Sequence, residues 1–575
     1  YTIINAIKDK NVLRFKVDYV RTMRTREGIR DEQVAGIQTG EALEDPRYIA
    51  NNVRYILEHF ARKTKRNESY RMSVIGNVRQ VVASKQRVAE ERQKLTASGF
   101  NSIFAVDSTR KAQLYYDEFA RQQASLPEAQ RLRVATIFTY APNEAEEDDD
   151  LGRLEDENPE AVGQLDTTSK EFLARAIDEY NQTFGTRYGI DGDQFANYYK
   201  DLSLRMKNKE IDLLIVVGMF LTGFDAKTLN TLWVDKNLKM HGLLQAFSRT
   251  NRILNSVKDC GNVICFRNLE AAVNESFSLF GDENASGIIL MRPFKDYYEG
   301  YNETDKEGKL QHQPGYKELE ERLLTDFPIA SLGQVRTDEE KRDFVRLFGA
   351  LLKQRNLLGS FDQFDPAVGC IRDEEGKPVE NLLLSEFQIQ DYTSWYIELR
   401  DEFHRAKSGE KARINDDIVF EMELVKQVQI DIAYILMLVA QYHDSQCADR
   451  EIVVKIRKAV GASPDLRDKR ELIEQFVERM TPDGNPDVYA DWEAYVARKK
   501  EEDLQRIIDE ERLKPEETRL FMEHAFEEDG VQTEGTAIVK ILPPMPLFGG
   551  GGKRAEKKRA VIEKLQAFFA KYVNL

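Results

Sequence analysis

The chain has 575 residues, of which 41% are hydrophobic and 32% charged, and its formal net charge is −16. That apolar share supports several packed cores and excludes wholesale disorder, and the length suggests roughly four domains. No run approaches the roughly 18 apolar residues of a membrane span, and four scattered cysteines without a CxxC pair exclude a disulfide scaffold and a zinc knuckle and fit a reducing cytoplasmic setting. The chain opens Tyr1-Thr2-Ile3, without Met or a signal pattern, and reads as a piece of a longer protein.

Taken in order, Val12–Val17 alternates in period two, which predicts a strand, and helical patterns follow at 46–64 and 72–96. Residues 54–94 carry 11 Lys/Arg against 4 Glu, a local net of +7. Two readings fit: a footprint for a polyanion, DNA in particular, carried by Arg62, Lys63, Lys65 and Arg66, or a solvated helix surface. From 100 to 270 short apolar runs alternate with helical patterns: Ser102–Val106, Val134–Phe138, Leu213–Val217, Leu232–Val234 and Asn262–Phe266. Near-continuous apolar strands separated by helices predict a parallel sheet covered on both faces. Thr168-Ser169-Lys170-Glu171 fits a capping box before a helix with Phe172, Ala176, Ile177 and Tyr180 on one face. Residues 144–160, with 10 Asp/Glu against one Arg, read as a surface loop.

Beyond 295 helical periodicity dominates, as in Phe344, Leu347, Phe348, Leu351 and Leu352, then at 385–406 and 419–442. A break spans 445–465, and a last helix at 555–573 stacks Val561, Leu565, Phe568, Phe569 and Tyr572 on one side, for its own domain or for a partner. The expected architecture is an α/β parallel-sheet domain followed by mostly α-helical domains, divided as 1–295, 296–445 and 446–575.

The chemistry concentrates in 216–253. A buried strand runs into Thr222-Gly223-Phe224-Asp225, and ligands of open α/β sheets sit off the carboxyl ends of strands. Gln245, Arg249 and Arg252 then fall at i, i+4 and i+7, one face of a helix. Two guanidiniums and an amide on one face suit a phosphate chain, since Arg stays charged and donates bidentately. Either element alone is ordinary, a strand-end turn or a surface helix with two Arg; the pair is much rarer. The six His show no paired ligand spacing, and no metal site is expected within the chain.

Gly-x-Asp after a strand, followed by QxxSRxxR, resembles motifs V and VI in the second RecA-like domain of superfamily 2 helicases and translocases. Met219 through Leu254, Phe100–Ser108 in the place of motif IV, Leu13–Tyr19, and the ending Gly535-Thr536, Ile541–Pro546 and Gly549–Gly552 resemble the type I restriction enzyme R (motor) subunit. Motif VI of other superfamily 2 branches usually has Gly where Ser248 stands.

The resemblance implies the C-terminal portion of an ATP-dependent type I site-specific deoxyribonuclease subunit, which translocates double-stranded DNA before cleaving it. In that reading Arg249 and Arg252 are catalytic, stabilising charge on the transferred phosphoryl group. Gly223, Asp225 and Gln245 bind the nucleotide, with Asp225 at the ribose, and Ser108 and Thr222 meet the DNA backbone. ATP and Mg²⁺ are the implied cofactors, the Mg²⁺ ligands lying on a missing N-terminal part. Double-stranded DNA and the methyltransferase and specificity subunits are the implied partners, with 446–575 as the anchor.

The rivals are another superfamily 2 double-stranded DNA translocase and a non-catalytic docking module. A complete motor also needs a GxxxxGK(S/T) loop and a strand-borne DExx. Gly308-Lys309, Gly376-Lys377 and Gly552-Lys553 all lack the following Ser/Thr. Asp401-Glu402-Phe403-His404 spells DExH, and Glu339-Glu340-Lys341 has the spacing of the family's nuclease motif, but both stand in helical patterns.

Overall fold

The computed structural model describes residues 3–20, 22, 44–83, 88–138, 167–221, 223–278, 285–304, 308–334, 337–373, 375–405, 424, 432–463, 466, 468–482, 487–527, 530–531, 537–543 and 551–573. They group into two units. The first takes Tyr1–Asp326, Leu347–Leu383 and Glu421–Gln427, the second Phe327–Arg346, Leu384–Phe420 and Val428–Leu575.

The first unit is built on six parallel strands: β1 (Phe15–Tyr19), β4 (Asn101–Val106), β5 (Val134–Phe138), β6 (Leu213–Val217), β7 (Leu229–Asp235) and β8 (Gly261–Cys265), ordered β1-β8-β7-β4-β6-β5. Every residue of β4, β6, β7 and β8 is buried, which explains their unbroken apolar runs. Register is set by pairs such as Ser102 with Leu213 and Thr231 with Asn262. Helices cover the sheet. Pro46–Lys63 opens with Pro at N1 and an Asp45 cap that accepts from the Arg47 amide at 2.7 Å, and it buries Tyr48, Ile49, Val53, Ile56 and Phe60. Thr167–Phe184 buries Phe172, Leu173, Ala176, Ile177 and Tyr180. Because that helix begins at Thr167, Thr168 lies inside its first turn rather than capping it. The chain is thus an α/β parallel-sheet domain followed by mostly α-helical structure.

The stretch expected as a helix over 72–96 is instead an antiparallel pair, β2 (Ser69–Ile75) and β3 (Arg92–Ser98), joined through a short helix, Val78–Ala83. Tyr70, Met72 and Val74 alternate inward, a period of two that wins over the helical spacing. Past 295 two small antiparallel sheets also appear, Gly300–Thr304 with Leu310–Pro314 and a three-stranded one within 364–381.

The basic stretch corrects both of its readings in part. Lys63 has no exposed surface, and its ammonium donates to Asp18 at 2.9 Å and Asp362 at 3.1 Å. Lys65 is also buried and donates to Asp259 at 2.7 Å and to the Asn356 side chain at 2.7 Å. Arg62 reaches the Asp362 carbonyl, and Arg66 the carbonyls of Gln130 and Arg131. These cations fasten remote segments, and Lys63 and Lys65 are buried away from any polyanion. Burial alone would raise the Asp18 carboxyl, but Lys16 and Lys63 outweigh it and hold it at about 2.

In the second unit, the helices Ile432–Asp444, Arg450–Ala462, Arg470–Glu478, Val488–Glu511, Pro515–Glu527 and Gly551–Tyr572 share one core. The turn at 445–449 therefore links two helices of one core, where a boundary at 445/446 was expected. The last helix buries Val561, Leu565, Phe568 and Tyr572 in that core, with Phe569 against it, so it closes its own domain. The Tyr572 hydroxyl donates to Asp503 at 2.7 Å. Asp401–His404 and Glu339–Lys341 lie on helices. The acidic run at 144–160, Gly535-Thr536 and Pro544–Pro546 lie outside the described residues.

Candidate functional site

β6 and β7 are parallel, yet the crossover between them, 218–228, contains no helix among its described residues. Apolar side chains hold it to the core instead: Met219, Phe220, Leu221, Phe224 and Ala226 are all buried. Phe220 packs tilted against Tyr199 and Phe224, with ring centroids at 5.1 and 4.6 Å. Phe220 sits at φ +63°, a left-handed conformation that a bulky residue adopts only when its surroundings impose it. Gly223 is also left-handed, at φ +67°, and is exposed. The burial of its neighbours lifts Gly223 and Asp225 to the surface. Thr222 lies outside the described residues.

β7 leads to the helix Met240–Phe247, which ends before either arginine. The expected shared helix face is therefore corrected: Gln245 stands on the helix, Arg249 in the turn after it, and Arg252 in an antiparallel bridge with Val12. The structure still brings these residues to the crossover by another route. Arg249 donates to three carbonyls, those of Phe224 at 2.8 Å, Leu221 at 3.1 Å and Gln245 at 3.2 Å. Its guanidinium thus clasps the crossover onto the helix end. Arg252 faces Asp225 at 3.6 Å, their side chains 48% and 57% exposed. Arg252 keeps most of its donors open to solvent, as does Gln245, which is exposed. An exposed guanidinium beside an exposed carboxylate can contact a charged ligand that approaches from solvent. The described residues contain no group of three His, Cys, Asp or Glu placed to hold a metal ion.

Ser108 is buried and caps the helix Thr109–Gln123, accepting from the Lys111 amide at 3.3 Å. Its turn sits at the switch point of the sheet, where the chain leaves β4 toward β5 and leaves β7 toward β8. That crevice is tied shut by ion pairs. Arg267 reaches Asp107 at 2.7 Å and Asp235 at 2.5 Å, Lys111 reaches Asp107 at 2.7 Å, and the hydroxyls of Tyr48 and Tyr115 donate to Asp235 at 2.8 Å. Apart from the i,i+4 pair of Asp107 and Lys111, nothing local in sequence links these partners, and they were missed.

Lys258 was also missed. It is buried and donates to the carbonyls of Lys227 at 2.9 Å and Leu229 at 2.6 Å, fixing the end of the crossover below Asp225. Burial pushes its ammonium down to about 7, with Cys260 and Asp225 pulling weakly the other way. An unfolded lysine titrates near 10.4, so between about pH 7 and pH 10 the unfolded chain binds more protons and folding stability rises with pH. Urea unfolding of the wild-type chain and of Lys258→Met at pH 7 and pH 9 is expected to show this gain in the wild type and its loss in the variant. Equal gains would remove Lys258 as the source.

Comparison with known proteins follows this geometry. Residues 98–268 match the family model "Type I restriction enzyme subunit R domain 3", and residues 289–572 match "Type I restriction and modification enzyme - subunit R C terminal". The chain is 30% identical over 582 aligned residues to the type I restriction enzyme SauCOLORF180P endonuclease subunit of Staphylococcus aureus (strain COL), covering 99% of this chain and 54% of that protein. It is 31% identical over 531 residues to the SsaAORF53P endonuclease subunit of Staphylococcus saprophyticus, covering 89% of this chain and 49% of that protein. The chain thus spans about half the length of these relatives. A solved structure titled "ATP-dependent Type ISP restriction-modification enzyme LlaBIII bound to DNA" aligns with 100% of this chain and 28% of its own, at 12% identity and a TM-score of 0.20, a value that carries no argument.

Proposed function

Because the chain belongs to the type I restriction enzyme R-subunit family, we propose that it supplies the second half of an ATP site and part of the track of a double-stranded DNA translocase. The observation that carries this reading is the exposed Arg252–Asp225 pair, held out by the Arg249 clasp. Arg252 places a permanent charge where phosphoryl transfer develops negative charge. Arg249 holds the crossover that presents Gly223 and Asp225, and can join the phosphates once the other half of the site closes. Gln245 and Asp225 orient the nucleotide, Asp225 at the ribose.

ATP supplies the phosphoryl group, and Mg²⁺ would neutralise its oxygens. The 575 residues contain no GxxxxGK(S/T) loop, and in this reading the phosphate cradle and the metal ligands are supplied by other parts of the whole subunit. Ser108, chiefly by fixing its turn, and Thr222 serve the DNA backbone. Within the whole subunit, an ATP-dependent type I site-specific deoxyribonuclease acting in the cytoplasm, the C-terminal helices anchor the motor to the methyltransferase and specificity subunits. Since the last helix is spent on its own core, the anchoring surface lies on the segments around it.

The chain alone is expected to hydrolyse ATP negligibly, with or without duplex DNA, because half of the site is absent. A coupled ATPase assay on the purified chain checks this, and even a few turnovers per second would sink the two-half reading.

A further inference from the structure

The β2–β3 pair has two unlike faces. Tyr70, Met72 and Val74 are buried on one. On the other, register sets Arg71 opposite Thr96, Ser73 opposite Lys94 and Ile75 opposite Arg92. Arg71, Ser73, Arg92, Lys94 and Thr96 are exposed. Arg71 and Lys94 have no ion-pair partner among the described residues, and Arg92 has only Glu90, two positions away. Other exposed cations, such as Arg121, Arg175 and Lys377, lie against carboxylates.

The spacing suits a phosphate backbone. Residues two apart on a strand project on one side about 6.8 Å apart, on the scale of the separation between neighbouring phosphates of one DNA strand. Arg92 and Lys94 have that separation on β3, and Arg71 stands diagonally across from Lys94. Ser73 and Thr96 add hydroxyls that can donate to phosphate oxygens. The face carries no aromatic ring, so it has no platform on which to stack a base, and contacts of this kind position a duplex without reading its sequence.

We propose that the outer face of β2–β3 is a second phosphate-contact surface for double-stranded DNA, apart from the strand-end turns. The inference rests on the reading of the chain as part of a DNA translocase. It moves the electrostatic contact from Arg62–Arg66, of which Lys63 and Lys65 are buried, to Arg71, Arg92 and Lys94.

The test is fluorescence anisotropy of the full chain with a short labelled duplex of arbitrary sequence across a range of KCl concentrations. Arg71→Ala/Arg92→Ala/Lys94→Ala is compared with the wild type and with Arg71→Lys/Arg92→Lys. Each phosphate contact contributes about 0.9 to the slope of log affinity against log salt. The triple variant should therefore lose about 2–3 from the slope and bind at least about tenfold more weakly, while the lysine variant keeps the wild-type slope. Circular dichroism should show unchanged melting, since all three side chains are exposed. An unchanged slope in the triple variant overturns this surface and leaves the translocase reading standing. Absence of duplex binding by the wild type overturns both. An unchanged slope together with lost assembly onto the methyltransferase would make the face a protein contact and overturn the proposal.

Discussion

Replacing Arg252 by alanine is expected to reduce DNA-stimulated ATP turnover of the intact subunit by roughly 10³-fold or more, the scale of a lost arginine finger. The fold should not notice. The side chain of Arg252 faces Asp225 at 3.6 Å, and both side chains are about half exposed; such a pair is worth about 0–1 kcal/mol. Melting should shift by no more than about 2–4 °C. Arg252→Lys keeps the charge but loses the planar fork, and should recover only part of the rate.

Arg249→Ala should behave differently. It removes three bonds to the carbonyls of Leu221, Phe224 and Gln245, so lost turnover should come with a lower melting temperature of the sheet unit. ATPase assays paired with thermal melts separate the two. Near-normal turnover in Arg252→Ala would reduce the pattern QxxSRxxR to coincidence.

The second large effect concerns Lys65. Lys65→Ala is expected to destabilise the sheet unit by about 3–5 kcal/mol, the cost of removing one partner from a buried ion pair. Burial opposes the charge on Lys65, but Asp259 and Glu68 overcome it and raise its pKa. Without the ammonium, Asp259 and the Val257 and Asn356 carbonyls lose their shared donor. Arg66→Ala, one residue on, removes only exposed bonds to the Gln130 and Arg131 carbonyls and should cost under about 1 kcal/mol. Urea unfolding of the two variants checks the contrast. A Lys65→Ala chain that unfolds like the wild type but binds duplex DNA less well would restore this stretch as a nucleic-acid contact.

The sheet was legible because strands buried on both faces have to be apolar without interruption, as Leu213–Val217 is. The helices beside it were legible for a related reason, one apolar stripe each. β2 and β3 were not, because Val78 and Val82 repeat at helical spacing within the same window as the alternating Tyr70, Met72 and Val74. The basic stretch could be counted but not placed. What buries Lys63 and Lys65 are carboxylates 45, 194 and 299 residues away in sequence, and no local pattern announces them. The candidate site was found as a set of residues but not as a geometry. The helix carrying Gln245 stops at Phe247, so the periodicity that grouped the arginines gave way to a turn and a β-bridge. Lys258 carries no motif at all; its role comes entirely from two carbonyls on a loop about thirty residues earlier.

The lysines of the Pro46–Lys63 helix end also bear on how this protein can be cut. Residues 347–383 belong to the sheet unit although a piece of the other unit precedes them in the chain. Lys63 holds Asp362, and Lys65 holds Asn356. The unit is therefore a composite of stretches separated along the chain, of which 1–326 and 347–383 are joined by these non-covalent contacts. Truncation after Asp326 for expression would remove counter-charges and acceptors from two interior ammonium groups and yield an insoluble product. A protease nick near 335 would break the backbone yet leave the two stretches together through gel filtration.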